Sequence, residues 1–234
     1  MCLLIAKPAG VALPDVDETC LLAHETNSDG FGAAWKEADG QIWIVKGLMD
    51  VTAQAEWCEK IGQKEALFHW RFGTSGGVHK HNCHPFALND GSVFAHNGIM
   101  PIKTRKGISD TRFMAENSRS ADVLMKNVSD YVGKSNKFAI LRPEADMVIL
   151  GENEGTWQDG VWYSNMYWAW NGYTHSSTTA SVSQYRDPFE RYRMDDELED
   201  YDAMKDLLRQ MVEKYGRRTV LDTVDEVEDE MWMA

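Results

Sequence analysis

Cys2 follows Met1 directly, so removal of the methionine leaves one residue holding both a thiol and a free α-amine. A thiol of pKa about 8.5 ionises little at neutral pH, and an α-amine of pKa about 7.7–8.0 can take its proton, directly or through one water. The small cysteine side chain also suits methionine aminopeptidase. The combination is a nucleophile that carries its own base. The plain alternative is a core position, because Leu3, Leu4, Ile5 and Ala6 continue an apolar run and cysteine is among the most buried residue types.

Four ordered segments downstream bear on that choice: Arg71-Phe72-Gly73-Thr74-Ser75-Gly76, Asn82-Cys83-His84-Pro85-Phe86, His96-Asn97-Gly98-Ile99 and Ser109-Asp110-Thr111. Together with Cys2, and with Asn27-Ser28-Asp29-Gly30-Phe31-Gly32, they resemble the class II glutamine amidotransferases in their stand-alone, glutaminase-type form. Members of that family are N-terminal-nucleophile hydrolases that release ammonia from glutamine through a cysteine at the mature amino terminus. The resemblance implies an amidotransferase-like domain over residues 1–170, with Cys2, Asn97 and Gly98 as catalytic residues. It implies glutamine recognition by Arg71 and Asp110, Thr74 as a further ligand to the carboxylate, and a substrate-side role for Gly30. The implied fold is α+β, a four-layer α/β/β/α sandwich, working with no organic cofactor and no metal.

The same residue types suit the chemistry on their own. A thiolate attacking a carboxamide creates a tetrahedral oxyanion that needs preorganised donors. Asn97 offers a side-chain NH2, and Gly98 a backbone N–H on a tight turn after the apolar Val93-Phe94-Ala95, where glycine allows close approach. A free amino acid also carries a carboxylate and an ammonium. Arg71 can hold the first by a bidentate fork and Asp110 can accept from the second. Each residue also has a plainer reading: Asn97-Gly98 as a turn, Asp110 as the acidic start of a helix, Arg71 as a solvated surface side chain.

A rival grouping is metal binding, since His79, His81, Cys83 and His84 crowd together with His69 and His96 on either side. Structural zinc sites draw ligands from two separated knuckles, whereas Cys20 and Cys58 stand singly, and adjacent Cys83-His84 is awkward for one tetrahedral ion. The resemblance implies instead a loop near the site with His84-Pro85-Phe86 structural, leaving Cys83 without a role.

The elements that must position these residues read as alternating strands and helices. Strands are expected at residues 2–6, 31–35, 41–46, 66–70, 92–96, 138–141, 147–150 and 160–163, with Asp39-Gly40 turning the second into the third. Helices are expected at 16–26, with Leu21 and Leu22 on the buried side, at 52–61, from Asp110, and at 121–132. On this reading Ala66 to Trp70 delivers Arg71, and Ser92 to His96 delivers Asn97. Periodicity itself shows only mixed α and β; the layering comes from the resemblance.

After Trp170 the character changes. Residues 171–194 read as a polar loop or linker. In residues 195–234 acidic residues interleave with Leu198, Tyr201, Met204, Leu207, Leu208 and Met211, whose spacing makes an amphipathic helical extension able to dock on the domain or on a partner. The net charge of −13 would repel a phosphate backbone, so direct nucleic-acid binding is not expected. No apolar stretch is long enough to span a bilayer and no signal peptide precedes Cys2, so the expectation is a cytoplasmic protein without membrane contact. Four unevenly spaced cysteines make no disulfide framework. No acceptor domain follows, so the ammonia would pass to an acceptor on a separate synthase-type protein. Gly73-Thr74-Ser75-Gly76 in place of an Ala-Thr-His-Gly type loop, Pro101 soon after His96-Asn97-Gly98, and Arg112 where an acidic residue often follows leave substrate identity open. A γ-glutamyl amide or peptide hydrolase is one alternative. A catalytically degenerate interaction protein acting through its acidic C-terminal helix is another.

Overall fold

The computed structural model describes residues 2–73, 78–133 and 135–169. The segments 171–194 and 195–234 lie outside these residues. Within them the chain is mixed α and β with antiparallel sheets. Strands β1 (Leu3–Lys7), β2 (Phe31–Lys36), β3 (Ile42–Leu48), β4 (Ala66–Trp70), β9 (Thr156–Gln158) and β10 (Val161–Tyr163) form a six-stranded sheet in the order β3-β2-β4-β1-β10-β9. Strands β5 (Phe86–Ala87), β6 (Val93–Asn97), β7 (Lys137–Arg142) and β8 (Ala145–Leu150) form a four-stranded sheet in that order. Helices are α1 (Val16–Thr26), α2 (Val51–Ile61), α3 (Asp110–Glu116) and α4 (Ala121–Val128).

The apolar run behind Cys2 is explained by β1 lying inside its sheet, between β4 and β10. Side chains alternate between faces along a strand. Leu3 and Ile5 therefore join the core beneath α1 and α2, with Cys20, Ala23, Cys58, Ile61, Phe68 and Trp70. Leu4 and Ala6 join a second core between the sheets, with Ala34, Leu67, Val93, Ala95, Ala139, Leu141 and Trp162. The outer face of the small sheet places Phe94, Phe138 and Ile140 against Met114 of α3 and Leu124 and Val128 of α4. Four alanines on the inter-sheet face let the backbones of the two sheets approach. Each fully buried large side chain in these cores stabilises the fold by about 1.5–3 kcal/mol.

Three helix starts are capped from the chain itself: Asp50 accepts from the Ala53 N–H, Ser109 from Arg112 and Ser120 from Val123. Such caps are worth about 1 kcal/mol each. The turn between β2 and β3 falls at Asp39-Gly40, with Gly40 at φ 86°. Two expectations are corrected. α1 turns Thr19, Cys20, Ala23 and His24 inward; Leu22 packs half-buried against that core as expected, Leu21 does not join it, and Gln54 of α2 gives His24 a buried partner at 3.2 Å. The last helix ends at Val128 rather than Val132; residues 129–133 turn instead and bring Asn136 back toward β6. The short strands β5 and β9 were not anticipated. Among the described residues no helix is long and apolar enough to cross a membrane.

Candidate active site

Cys2 lies at the open end of β1, one residue before the ladder begins. Its thiol donates to the Phe72 carbonyl at 3.4 Å and accepts from the Phe72 N–H at 3.3 Å. Its own carbonyl is held by Asn165 Nδ2 at 2.9 Å. Burial pushes the thiol pKa up, against the Phe72 N–H, the terminal ammonium and the Arg71 guanidinium, which pull it down. A buried, protonated thiol of this kind needs a proton acceptor before it can attack.

Cys2 opens onto a small pocket, partly open to solvent, lined by Arg71, Phe72, His84, His96, Gly98, Ser109, Asp110 and Thr111. Four residues singled out in the sequence thus meet around one cavity: Cys2, Arg71, Gly98 and Asp110. Arg71 follows β4 and is 3% exposed, which overturns its reading as a solvated surface side chain. Its backbone is clamped to the neighbouring loop, N–H to the Gly30 carbonyl at 2.8 Å and carbonyl to the Asp29 N–H at 3.0 Å. Asp29 in turn accepts from the Gly73 N–H at 2.6 Å. Thr74 lies outside the described residues.

Gly30 does not line the pocket. It sits at φ 122°, and a Cβ there would fall 2.4 Å from the Cys83 sulfur. Cys83 is fully buried and fills the space that this glycine leaves. Gly32 is crossed equally closely by the His84 carbonyl, 2.1 Å from where a Cβ would be. The Asp29-Gly30-Phe31-Gly32 pattern is therefore the seat on which the loop through residues 79–84 rests. Among the described residues no three His, Cys, Asp or Glu side chains gather to hold a metal ion.

Gly98 has φ 147°, and a Cβ would lie 2.3 Å from Asn136 Oδ1 and 2.8 Å from the Ser135 carbonyl, so the turn after β6 needs glycine both for its backbone angle and for lack of room. Asn97, the last residue of β6, is 2% exposed; its Nδ2 donates to Ser164 Oγ at 2.7 Å. Asp110 is both the first residue of α3 and a pocket residue, so its two readings are compatible. One carboxylate oxygen accepts the Met100 N–H at 2.8 Å and the other the Thr111 N–H at 2.8 Å, tying the helix start to the segment after Gly98.

Three histidines knit these pieces together. The His96 N–H donates to His84 Nδ1 at 3.2 Å, so the His84 proton sits on Nε2. The His96 carbonyl accepts from His69 Nε2 at 3.1 Å. His96 Nε2 donates to Asn136 Oδ1 at 2.9 Å, so Nδ1, 2.9 Å from Thr111 Oγ1, is the acceptor there. The His96 ring also stacks on Phe138, with centroids 4.4 Å apart. Burial is the leading cause that holds all three rings below the ordinary histidine pKa, His69 at about 3 and His84 well down. They are neutral hydrogen-bonding groups at pH 7. His84 was expected to be structural, whereas His96, Ser109 and Thr111 lie inside the sequence motifs without an assigned role. Ser164 and Asn165 carried no sequence signal at all.

No family model matches the sequence, and no curated protein matches it. Among solved structures, the chain is similar to a glutamine phosphoribosylpyrophosphate amidotransferase from B. subtilis, 19% identical over 72% of this chain, with a TM-score of 0.48. It is also similar to an allosteric regulatory enzyme of purine biosynthesis, 21% identical over 70% of this chain, with a TM-score of 0.48. The chain spans 42% and 41% of the length of these two. A third, a glutamine aminotransferase class-II domain protein from Silicibacter pomeroyi, is 17% identical over 61% of this chain and 73% of its own, with a TM-score of 0.33. At these identities and TM-scores the residues around Cys2, not the likeness, carry the function.

Proposed function

We propose that the chain is a glutamine amidohydrolase of the N-terminal-nucleophile type, built as the four-layer α/β/β/α sandwich of that class. The observation that carries the reading is the convergence of Cys2, the buried Arg71, Gly98 and Asp110 on one small pocket. Removal of Met1 exposes the Cys2 amine, which takes the proton from the adjacent thiol. Arg71 binds the α-carboxylate of glutamine and Asp110 its α-ammonium, with Thr74 as a further carboxylate ligand and Gly30 supporting the Arg71 loop. The thiolate attacks the side-chain carboxamide carbon, forming the C–S bond. Asn97 Nδ2 and the Gly98 N–H stabilise the oxyanion. The C–N bond breaks as the amine returns a proton, ammonia leaves, and water hydrolyses the γ-glutamyl thioester to glutamate. The ammonia serves an acceptor on a separate protein in the cytoplasm, and no metal or organic cofactor takes part.

A second reading is favoured by the pocket rim. Phe72 is 48% exposed and Ile99, next to Gly98, is 61% exposed. These side chains suit a γ-glutamyl amide whose amine carries an apolar group. Both readings share the nucleophile and the oxyanion donors.

The test is the intact mass of purified protein before and after 6-diazo-5-oxo-norleucine, an electrophilic glutamine analogue, followed by turnover of glutamine and of γ-glutamyl anilides. Loss of Met1 and one adduct, absent in Cys2→Ala and slowed by glutamine, supports the amidohydrolase. Asn97→Ala should then reduce turnover by about 10²–10³-fold. Retained Met1 with no adduct refutes the enzyme reading and returns attention to the acidic residues 195–234 as an interaction segment.

A further inference from the structure

We propose that Ser164, with Asn165, is the positioning device that sets the oxyanion side chain Asn97 in register with the strand carrying Cys2; the catalytic meaning of this rests on the amidohydrolase reading above. Ser164 follows β10 directly and is 1% exposed. The β1–β10 ladder pairs Ile5 with Tyr163 and Ala6 with Trp162, which places Ser164 opposite Leu4. Ser164 N–H donates to the Leu4 carbonyl at 2.8 Å, as a ladder residue should. The return bond is different. The Leu4 N–H goes to the serine hydroxyl at 2.9 Å rather than to a backbone carbonyl.

That substitution has a consequence across the sandwich. Ser164 Oγ also accepts from Asn97 Nδ2, at 2.7 Å. A hydroxyl oxygen has two lone pairs, and the two short bonds to them come from the nucleophile strand of the large sheet and from the last residue of β6 in the small sheet, with Asn165 Nδ2 farther off at 3.4 Å. Asn165 completes the arrangement through its 2.9 Å bond to the Cys2 carbonyl. Two consecutive residues therefore hold the backbone at Cys2 and Leu4 and the carboxamide of Asn97. Anchoring one N–H of Nδ2 fixes the rotation of the amide and aims its second N–H. An oxyanion donor stabilises developing charge only if it is aimed beforehand. A merely structural serine would satisfy the Leu4 N–H and nothing more.

The experiment compares wild type and Ser164→Ala in two ways. Hydrogen exchange of the Asn97 side-chain NH2, read by NMR in 15N-labelled protein, should quicken about 10-fold or more in the variant, while core backbone amides of β6 stay protected. Glutamine turnover should fall about 10–100-fold with KM within about twofold, and Ser164→Ala should cost less than about twofold more when Asn97 is already alanine. Equal Asn97 exchange in the two proteins, or losses that multiply fully in the double variant, overturns the proposal. If the variant does not fold, wild type decides: an Asn97 amide exchanging as fast as exposed asparagines overturns it. A wild type that shows the exchange pattern but turns over no glutamine leaves the positioning intact and refutes the activity.

Discussion

Acidification should destabilise this fold before its carboxylates titrate, and the three histidines knitted around the site, His69, His84 and His96, drive the effect. An unfolded histidine has a pKa of about 6.5, whereas burial holds His69 at about 3. Between those values the unfolded chain binds a proton that the folded chain refuses, so stability is full above about pH 6.5 and falls with falling pH. For a ring that stays neutral, moving from pH 7.5 to 5.5 removes about 1.4 kcal/mol. His84, also held well down by burial, acts in the same direction and adds at most the same again, for up to about 3 kcal/mol together. His96, whose burial is opposed by Asp110 and Asn136, adds at most another equal share. Lys7, lowered by burial to about 8, changes protonation above this window and leaves it undisturbed. Urea unfolding at fixed ionic strength and pH 7.5, 6.5 and 5.5 measures the sum. Thermal melting should show a drop of about 6–12 °C for 3 kcal/mol in a domain of this size. His69→Gln keeps a donor for the His96 carbonyl and should lose about 1.4 kcal/mol of the pH-dependent part. Stability equal within about 0.5 kcal/mol at pH 7.5 and 5.5 would refute the reasoning, because the His69 ring alone, if neutral in the fold, accounts for about 1.4 kcal/mol.

Gly98→Ala should lose about 1–3 kcal/mol to backbone strain and a comparable amount to the collision with Asn136, measured by urea unfolding, with glutamine turnover lost as the Gly98 N–H moves. Gly30→Ala should be similarly costly alone, yet in a Cys83→Ala background only the strain should remain, giving a coupling of about 1–2 kcal/mol in a double-mutant cycle; additive losses would mean that the two positions do not touch. Alkylation of Cys2 by iodoacetamide in a chain retaining Met1 should rise about tenfold per pH unit from pH 7 to 8.5 without levelling, because burial raises the thiol pKa and only the thiolate reacts. A plateau below pH 8 would contradict that shift.

The strands whose two faces are both covered could be read directly from the chain. Ala66–Trp70 and Val16–Thr26 occupy the residues expected of them, since a continuous apolar run and an amphipathic stretch state their environment locally. Phe86–Ala87 and Thr156–Gln158 could not be foreseen. They are two- and three-residue strands whose conformation is imposed by the neighbour they pair with, not by their own propensity. The site divides in the same way. Arg71, Gly98 and Asp110 sit beside recognisable turns and a helix start, so order along the chain was enough to nominate them. His84 and Ser164 act by reaching residues far away in sequence, His96 in one case and Leu4 and Asn97 in the other. Nothing in a local pattern distinguishes such a histidine or serine from any other. Gly30 shows the reverse: its motif was visible, but its reason, the sulfur of Cys83, appears only when the loop is laid over it.

The place of β1 within its sheet has a consequence in time. Leu4 and Ser164 are 160 residues apart, and β10, the second neighbour of β1, is made long after β1 has left the ribosome. At about 5–20 residues per second, the first strand synthesised waits roughly 8–30 s for the last of its partners. During that interval β4 can pair with one side of β1, but the side that β10 will take stays an open edge. Once β10 closes, Asn165 takes the Cys2 carbonyl and Leu3 to Ala6 are fully buried. The reading of Cys2 as an amino-terminal nucleophile therefore predicts that trimming precedes the closing of β10, and that protein refolded with Met1 in place resists methionine aminopeptidase, read by intact mass.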